Sequence, residues 1–257
     1  MKENDAVKVA VAAGEIMLSA GAETMRVEET MVRMMHSQGL TEIEAFCTTT
    51  GIFACATGSD DEVVTVIKRV KFRDNNLEKI AKVNELSRCF VEGRVGTAAA
   101  METLENIRSL LPYPNLIRIV AASIASLCFA YMFGGTWADA VNALIAAMLM
   151  QIPVLLMERR RVVPALTTIA GGIFSTSFAL ILLNLGVGEN VEFIITGAIM
   201  PLVPGVALTN AIRDILDGNM LAGAARTMEA LLTAVAIAAG VGVVLTSWIS
   251  VFGGVFW

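Results

Sequence analysis

Asn210, Asp214 and Asp217 stand at i, i+4 and i+7, a spacing that aligns them on one face of a helix. An amide side chain offers both a donor and an acceptor. Carboxylates beside it can exchange protons or position a cation. Thr209 adds a hydroxyl next to Asn210. Arg213 and Arg226 supply guanidinium groups, which hold carboxylates through charge-assisted hydrogen bonds. Glu229 lies one helical turn beyond Arg226. Immediately upstream runs Met200-Pro201-Leu202-Val203-Pro204-Gly205. Proline lacks an amide donor and clashes with the preceding turn, so Pro201, Pro204 and Gly205 predict a break in a helix. A break frees backbone carbonyls and amides for a ligand. The group as a whole reads as a path for an anionic solute or a coupling ion. The plainer alternative is a structural kink at the prolines with a salt-bridge lock below it.

A second charged group, Glu23, Arg26, Glu28 and Glu29, crowds one stretch near the N-terminus. It reads as helix capping and ion pairing, or as a gate or docking surface carried by Glu23, Arg26 and Glu28. The sole histidine, His36, has no partner motif, and no nucleophile elbow, phosphate loop or dinucleotide fingerprint occurs. The expectation is a protein that is not an enzyme. Cys47, Cys55, Cys89 and Cys128 lack metal-ligand spacing and read as packing residues, so no metal and no cofactor is expected.

The elements that must position the first group are apolar. Ile119–Ala138, Ala140–Met157, Val162–Gly188, Phe193–Ile212 and Ala230–Trp257 contain no charged residue. A bilayer core about 30 Å thick takes roughly 20 residues of helix. Backbone in lipid must satisfy its own hydrogen bonds. Five transmembrane helices are therefore predicted. The prolines fall about 8 to 12 residues into the fourth, near the midplane, where transporters build sites from broken helices. Asn142 and Gln151 are expected to make hydrogen bonds between helices. Gly171, Gly172, Ser175, Gly240 and Gly242 are expected to permit close helix approach.

Residues 1–118 hold 14 of the 19 basic and 17 of the 24 acidic residues, which sets a boundary between a polar head and a membrane part. The expected division is a cytoplasmic α+β domain over 1–112 and a five-helix transmembrane domain over 115–257. In the head, Val7, Ala10, Val11, Gly14 and Leu18 predict a helix ended by Gly21. A second helix is predicted from about Ala22 to Gly39, with Met25, Met31, Met34 and Met35 packing the core. Ile43, Ala45 and Cys47 alternate as a half-buried strand. Ile52–Thr57 and Val63–Val70 flank a turn at Gly58-Ser59-Asp60-Asp61 and predict a hairpin. Two further helices are expected over Leu77–Val91 and Gly96–Leu111.

Basic and acidic loops alternate along the membrane part. Arg118 precedes the first span, Glu158-Arg159-Arg160-Arg161 follows the second, Glu189 and Glu192 follow the third, and Arg213 and Arg226 follow the fourth. By the positive-inside rule the N-terminal domain is expected in the cytoplasm and the C-terminus outside. No secretory signal is legible at the start. A net charge of −5 without a basic patch argues against nucleic acid.

Gly21-Ala22-Glu23-Thr24-Met25-Arg26-Val27-Glu28-Glu29-Thr30, Thr50-Gly51-Ile52, Asn76-Leu77-Glu78-Lys79-Ile80, Asn84-Glu85-Leu86-Ser87-Arg88 and the stretch from Met200 to Leu232 together resemble the threonine/serine exporter family. The resemblance implies a prokaryotic inner-membrane exporter of small amino acids or dicarboxylates, driven by an ion gradient. Full-length members carry about twice as many spans. The chain is similar to the larger subunit of the two-component members, for which succinate export is known. That similarity implies a smaller multi-span partner and leaves room for a higher oligomer. The rival expectation is a membrane-anchored regulatory or scaffold protein whose head binds a ligand.

Overall fold

The computed structural model describes residues 2–71 and 74–252. The last five positions of the final apolar run, 253–257, lie outside the described residues. The chain forms two compact units, Met1–Pro112 with Gly205–Glu229, and Tyr113–Pro204 with Ala230–Trp257.

In the first unit, α1 (Lys2–Ser19) and α2 (Thr24–His36) pack closely. Gly14 makes this possible, since a Cβ there would sit 2.5 Å from the Met31 sulfur. Met31, Met34 and Met35 are fully buried. Met25 is 40% exposed, so it does not pack the core as the sequence suggested: it lies in the first turn of α2, on the face away from α1. Gly21 ends the α1 region with φ +88°, a conformation that glycine adopts without strain. Because of the turn that follows, α2 begins at Thr24 rather than Ala22.

Three antiparallel strands, β1 (Thr41–Thr48), β2 (Gly51–Thr57) and β3 (Val63–Arg69), form a sheet in the order β1-β2-β3. Alternation is clear. Ile52, Ala54 and Ala56 face the core, while Phe46, Phe53 and Ile67 lie in one exposed cross-strand row. Helices α3 (Leu77–Val91) and α4 (Thr97–Arg108) complete the α+β part. Asn76 caps α3 by accepting the Lys79 amide at 3.0 Å. Two later segments join this unit: α9 (Gly205–Leu216) and the first turns of α10, a helix that runs from Met220 to Phe252.

The second unit is helical. It holds α5 (Asn115–Met132), α6 (Trp137–Arg159), α7 (Pro164–Asn184), α8 (Val191–Ile199), a 3-10 turn (Met200–Leu202) and the remainder of α10. Among the described residues four helices, α5, α6, α7 and α10, are long and apolar enough to cross a membrane, and a fifth crossing results if the broken pair around Val203 counts as one span. Small residues let these helices meet. A Cβ on Gly197 would lie 2.5 Å from Ala130 Cβ, and one on Gly172 would lie 3.0 Å from the Ile237 carbonyl. Gly240 is equally hemmed in, whereas Gly242 meets nothing within 4 Å and has no packing role. Asn142 donates to the carbonyls of Val187 at 2.7 Å and Ala179 at 3.2 Å. That contact ties α6 to α7 and to the turn beyond it.

Asp139, fully buried at the start of α6, pins two connections together. Its Oδ2 accepts the Thr136 amide and hydroxyl and the Asn190 side chain at 2.8–3.0 Å. Its Oδ1 accepts the Glu189 and Asn190 amides at 2.7 and 3.0 Å. Gly188 (φ +102°) permits this, because a Cβ there would lie 2.9 Å from that same Oδ1. Asp139→Ala strands all these donors in a dry site. It should cost about 3 kcal/mol or more, read as a lowered melting temperature in detergent. Asp139→Asn, which keeps one acceptor, should cost less. Equal melting for wild type and the alanine variant would show that the carboxylate is dispensable.

Candidate functional site

The loop Gly21-Ala22-Glu23-Thr24 between α1 and α2 is gripped residue by residue from α9 and α10. Asn210 donates to the Gly21 carbonyl at 2.8 Å. Arg226 donates to the Ala22 carbonyl at 2.7 Å. Arg213 forms an ion pair with Glu23. Asp214 Oδ1 accepts the Thr24 amide at 3.1 Å and the Thr24 hydroxyl at 2.8 Å. Asp214 Oδ2 faces Arg226 Nε at 3.0 Å. The two sides of this latch are about 190 to 200 positions apart in sequence, and both lie within the first unit.

Local sequence explains each placement. α2 starts without a side-chain cap from its own N-cap residue, Glu23, so its first amide would be orphaned. Asp214 supplies the missing acceptor and puts a negative charge at the positive end of the α2 dipole. α9 repeats apolar residues on the faces that Asn210 and Asp214 leave free. Gly223, on α10, lets that helix close on α9, since a Cβ there would lie 2.9 Å from the Ala211 carbonyl. The far side of the loop is fixed as well. Asp74 donates its amide to the Ser19 carbonyl at 2.8 Å, and Asn76 donates to the Ala20 carbonyl at 3.0 Å.

The centre of the latch is dry. Asp214 and Thr24 are fully buried, and Asn210 and Arg226 are buried too. An unpaired charge there would cost several kcal/mol. The Asp214–Arg226 pair therefore needs both partners, and Asp214 Oδ1 and one Arg226 nitrogen reach on to Thr24 and the Ala22 carbonyl.

The other sequence candidates fall around this centre. Thr209 bonds its hydroxyl back to the Gly205 carbonyl at 2.8 Å and is exposed. Asp217 shares the helical period of Asn210 and Asp214, but α9 ends at Leu216. Asp217 caps that end, its amide on the Arg213 carbonyl at 2.9 Å, and is exposed, as is Glu229. Pro201 lies in the 3-10 turn and Pro204 just before α9, which opens at Gly205. Of the N-terminal group, Glu23 joins the latch. Arg26 is exposed and Glu28 is half-buried. Glu29 pairs outward with Arg33 at 2.8 Å.

Glu28 connects the latch to the sheet. Its Oε1 accepts the Cys47 amide on β1 at 2.7 Å. Burial raises its pKa above the ordinary carboxylate range. The Cys47 amide and the Asn219 side chain pull it down, and the Asp214 charge pushes it up again. The Cys47 thiol is raised to about 12, first by burial and second by the Glu28 charge, so it stays protonated and inert. Thr24 and Asn219 were not among the sequence candidates. Thr24 carried the one available signal, a hydroxyl beside Glu23 at a helix start.

Arg226→Ala leaves Asp214 buried without its cation and should lower stability by about 3–5 kcal/mol. Arg226→Lys should recover part of that loss. A loss under about 1 kcal/mol would place water, not Arg226, on Asp214. For Glu28, the folded pKa lies above the unfolded one. Its contribution is complete below the ordinary carboxylate range and is lost as pH rises through the raised value. Glu28→Gln keeps an acceptor for Cys47 and cannot charge. The melting temperature of the variant minus that of the wild type should therefore grow as pH rises above the ordinary carboxylate range, about 4. A constant difference would contradict this.

The family model described as "Putative threonine/serine exporter" matches residues 8–248. The "Probable threonine/serine exporter" of Mycobacterium tuberculosis is 25% identical over 229 residues, which are 88% of this chain and 43% of that protein. The "Probable succinate transporter subunit YjjP" of Escherichia coli is 24% identical over 242 residues, 94% of either chain. Its namesake from Klebsiella aerogenes is 24% identical over 233 residues, 90% of either chain. The chain thus spans less than half the length of the first relative and nearly all of the other two. No solved structure matches. The family match runs unbroken through both sides of the latch and through the apolar helices, and the chain belongs to the threonine/serine exporter family of membrane proteins.

Proposed function

We propose that this chain is the larger subunit of an inner-membrane secondary transporter. It exports small amino acids such as threonine and serine, or dicarboxylates such as succinate, and an ion gradient drives it. A smaller multi-span subunit of the same family completes it. The N-terminal α+β part lies in the cytoplasm and the C-terminus outside, in accord with the alternation of loop charge.

The observation that carries this reading is the interruption of an apolar span within the family-matched chain. α8 stops at Ile199 and α9 starts at Gly205, with two prolines between. Pro201 and Pro204 donate no amide; the Gly197 and Met200 carbonyls one turn earlier take the amides of Met200 and Val203 in tighter turns instead, and broken spans of this kind build transporter sites.

The latch gives the transport path its chemistry. Both substrate classes carry a carboxylate. The latch holds two arginine–carboxylate pairs, Arg213 with Glu23 and Arg226 with Asp214. A substrate carboxylate competes with Glu23 and Asp214 for the same guanidinium groups. Its arrival loosens the grip on the Gly21–Thr24 loop, and its departure restores it. Asn210 holds the loop in register, and Asp214 carries the exchangeable charge. α10 begins at Met220, so a shift at Arg226 moves the first turns of that helix.

Efflux from vesicles carrying this chain, with and without the smaller subunit, tests the proposal. Export should require both chains. Asp214→Asn should reduce it by about tenfold or more, equivalent to ~1.4 kcal/mol, with the protein still inserted. Asp217→Asn, at an exposed position, should leave it within about twofold. Full export by this chain alone would contradict the subunit assignment. Wild-type export by inserted Asp214→Asn protein would reduce the latch to a structural lock.

A further inference from the structure

The two margins of the sheet are treated differently. β1 is a guarded edge: its register slips at a bulge between Thr41 and Glu44, and Glu28 occupies the outward Cys47 amide. Bulges and carboxylates of this kind keep an edge from recruiting another strand. β3 has neither device. It pairs with β2 without a slip from Val63 to Arg69. Its other edge is the margin of the sheet. Val63 is 60% exposed and Ile67 69% exposed. A straight, apolar, exposed edge strand is a template for pairing.

The charges along this edge are self-complementary. Asp60, Asp61 and Glu62 precede β3, and Lys68 and Arg69 end it. All of them are exposed. Turned antiparallel about a two-fold axis at Thr65, a second β3 sets Asp61 opposite Arg69, Glu62 opposite Lys68 and Val63 opposite Ile67, each pair twice. Lys68 is within 3.5 Å of Glu15 in its own chain but keeps 46% of its side-chain surface exposed, so it can reach both acids. Opposite charges and paired apolar side chains directly across an antiparallel ladder stabilise it.

We propose that β3 is a docking edge for a second copy of this chain, and that two copies join through it into one six-stranded antiparallel sheet centred on Thr65. A partner of other sequence would not meet the reversed order of charges that β3 carries in itself. The inference is independent of the solute transported, since none of these residues belongs to the latch.

Disulfide cross-linking of the full-length protein in native membranes tests it. The carrier is Thr65→Cys with Cys55→Ser, because Cys55 Sγ lies 3.4 Å from the Thr65 hydroxyl and would capture the new thiol. Mild oxidation should yield a product of twice the chain mass. Glu44→Cys, exposed on β1, should not. Adding Ile67→Lys should cut the yield about tenfold or more, in line with charge placement on an edge strand. Arg69→Asp alone should weaken the product, and Asp61→Arg with Arg69→Asp should restore it. Mass measurement of the wild type in detergent should show an even number of copies, with a fall to half in Ile67→Lys. Cross-linking at Glu44→Cys as efficient as at Thr65→Cys, a Thr65→Cys product containing a different polypeptide, or an inserted Thr65→Cys protein that stays single would each overturn the proposal.

Discussion

Asp214 has no exposed surface, and a carboxylate without water must find its hydrogen bonds and its countercharge in the protein. It finds both at once. Thr24 gives it the first amide of α2 and a hydroxyl, and Arg226 gives it the charge. The rest of the first unit depends on this one demand. α2 starts where it does because Asp214 caps it. The loop ahead of α2 takes its shape because Asn210 and Arg226 hold its carbonyls. The sheet is tied in through Glu28, whose pKa is raised by burial and, less strongly, by the Asp214 charge. One carboxylate therefore sets the geometry of a helix start, a loop and the ionisation of a neighbour.

The sequence made the apolar architecture legible because it is written locally. Charge-free runs of spanning length became helices, and prolines broke the fourth run where they fall. Alternation in Ile43–Cys47 and the turn at Gly58–Asp61 gave the strands. What could not be read was which backbone the polar face of α9 meets. Periodicity placed Asn210, Asp214 and Asp217 together, but it carries no information on where a helix stops. Asp217 caps the end of α9 and is exposed, outside the latch. Nor does periodicity show that a face near residue 214 will grip a loop near residue 22. That contact is made by single hydrogen bonds to main-chain carbonyls, which leave no pattern in composition. Asp139 shows the same limit. Its bonds to Glu189 and Asn190 come from a turn 50 positions away.

A latch of this kind suits a protein that must change state. Its core is strong because it is dry, yet it rests on two arginine–carboxylate pairs that a carboxylate solute can mimic. The first pair, Arg213 with Glu23, is more than half exposed on the arginine side, and the second, Arg226 with Asp214, is nearly sealed. Under the proposed function a solute reaches Arg213 first, and exchange at Arg226 follows only once the loop has moved. That order links occupancy to the position of α10 without any rearrangement of the sheet.

Coupling between Thr24 and Asp214 is what holds the loop to α9. A double-mutant cycle measures it directly, with Thr24→Val, Asp214→Ala and the pair compared for unfolding free energy in detergent. The latch predicts that the double variant loses at least about 1 kcal/mol less than the sum of the single losses, since either substitution alone already breaks the hydroxyl–carboxylate bond. Additive losses, within ~0.3 kcal/mol, would mean that the two residues act independently and that Asp214 does not hold the loop.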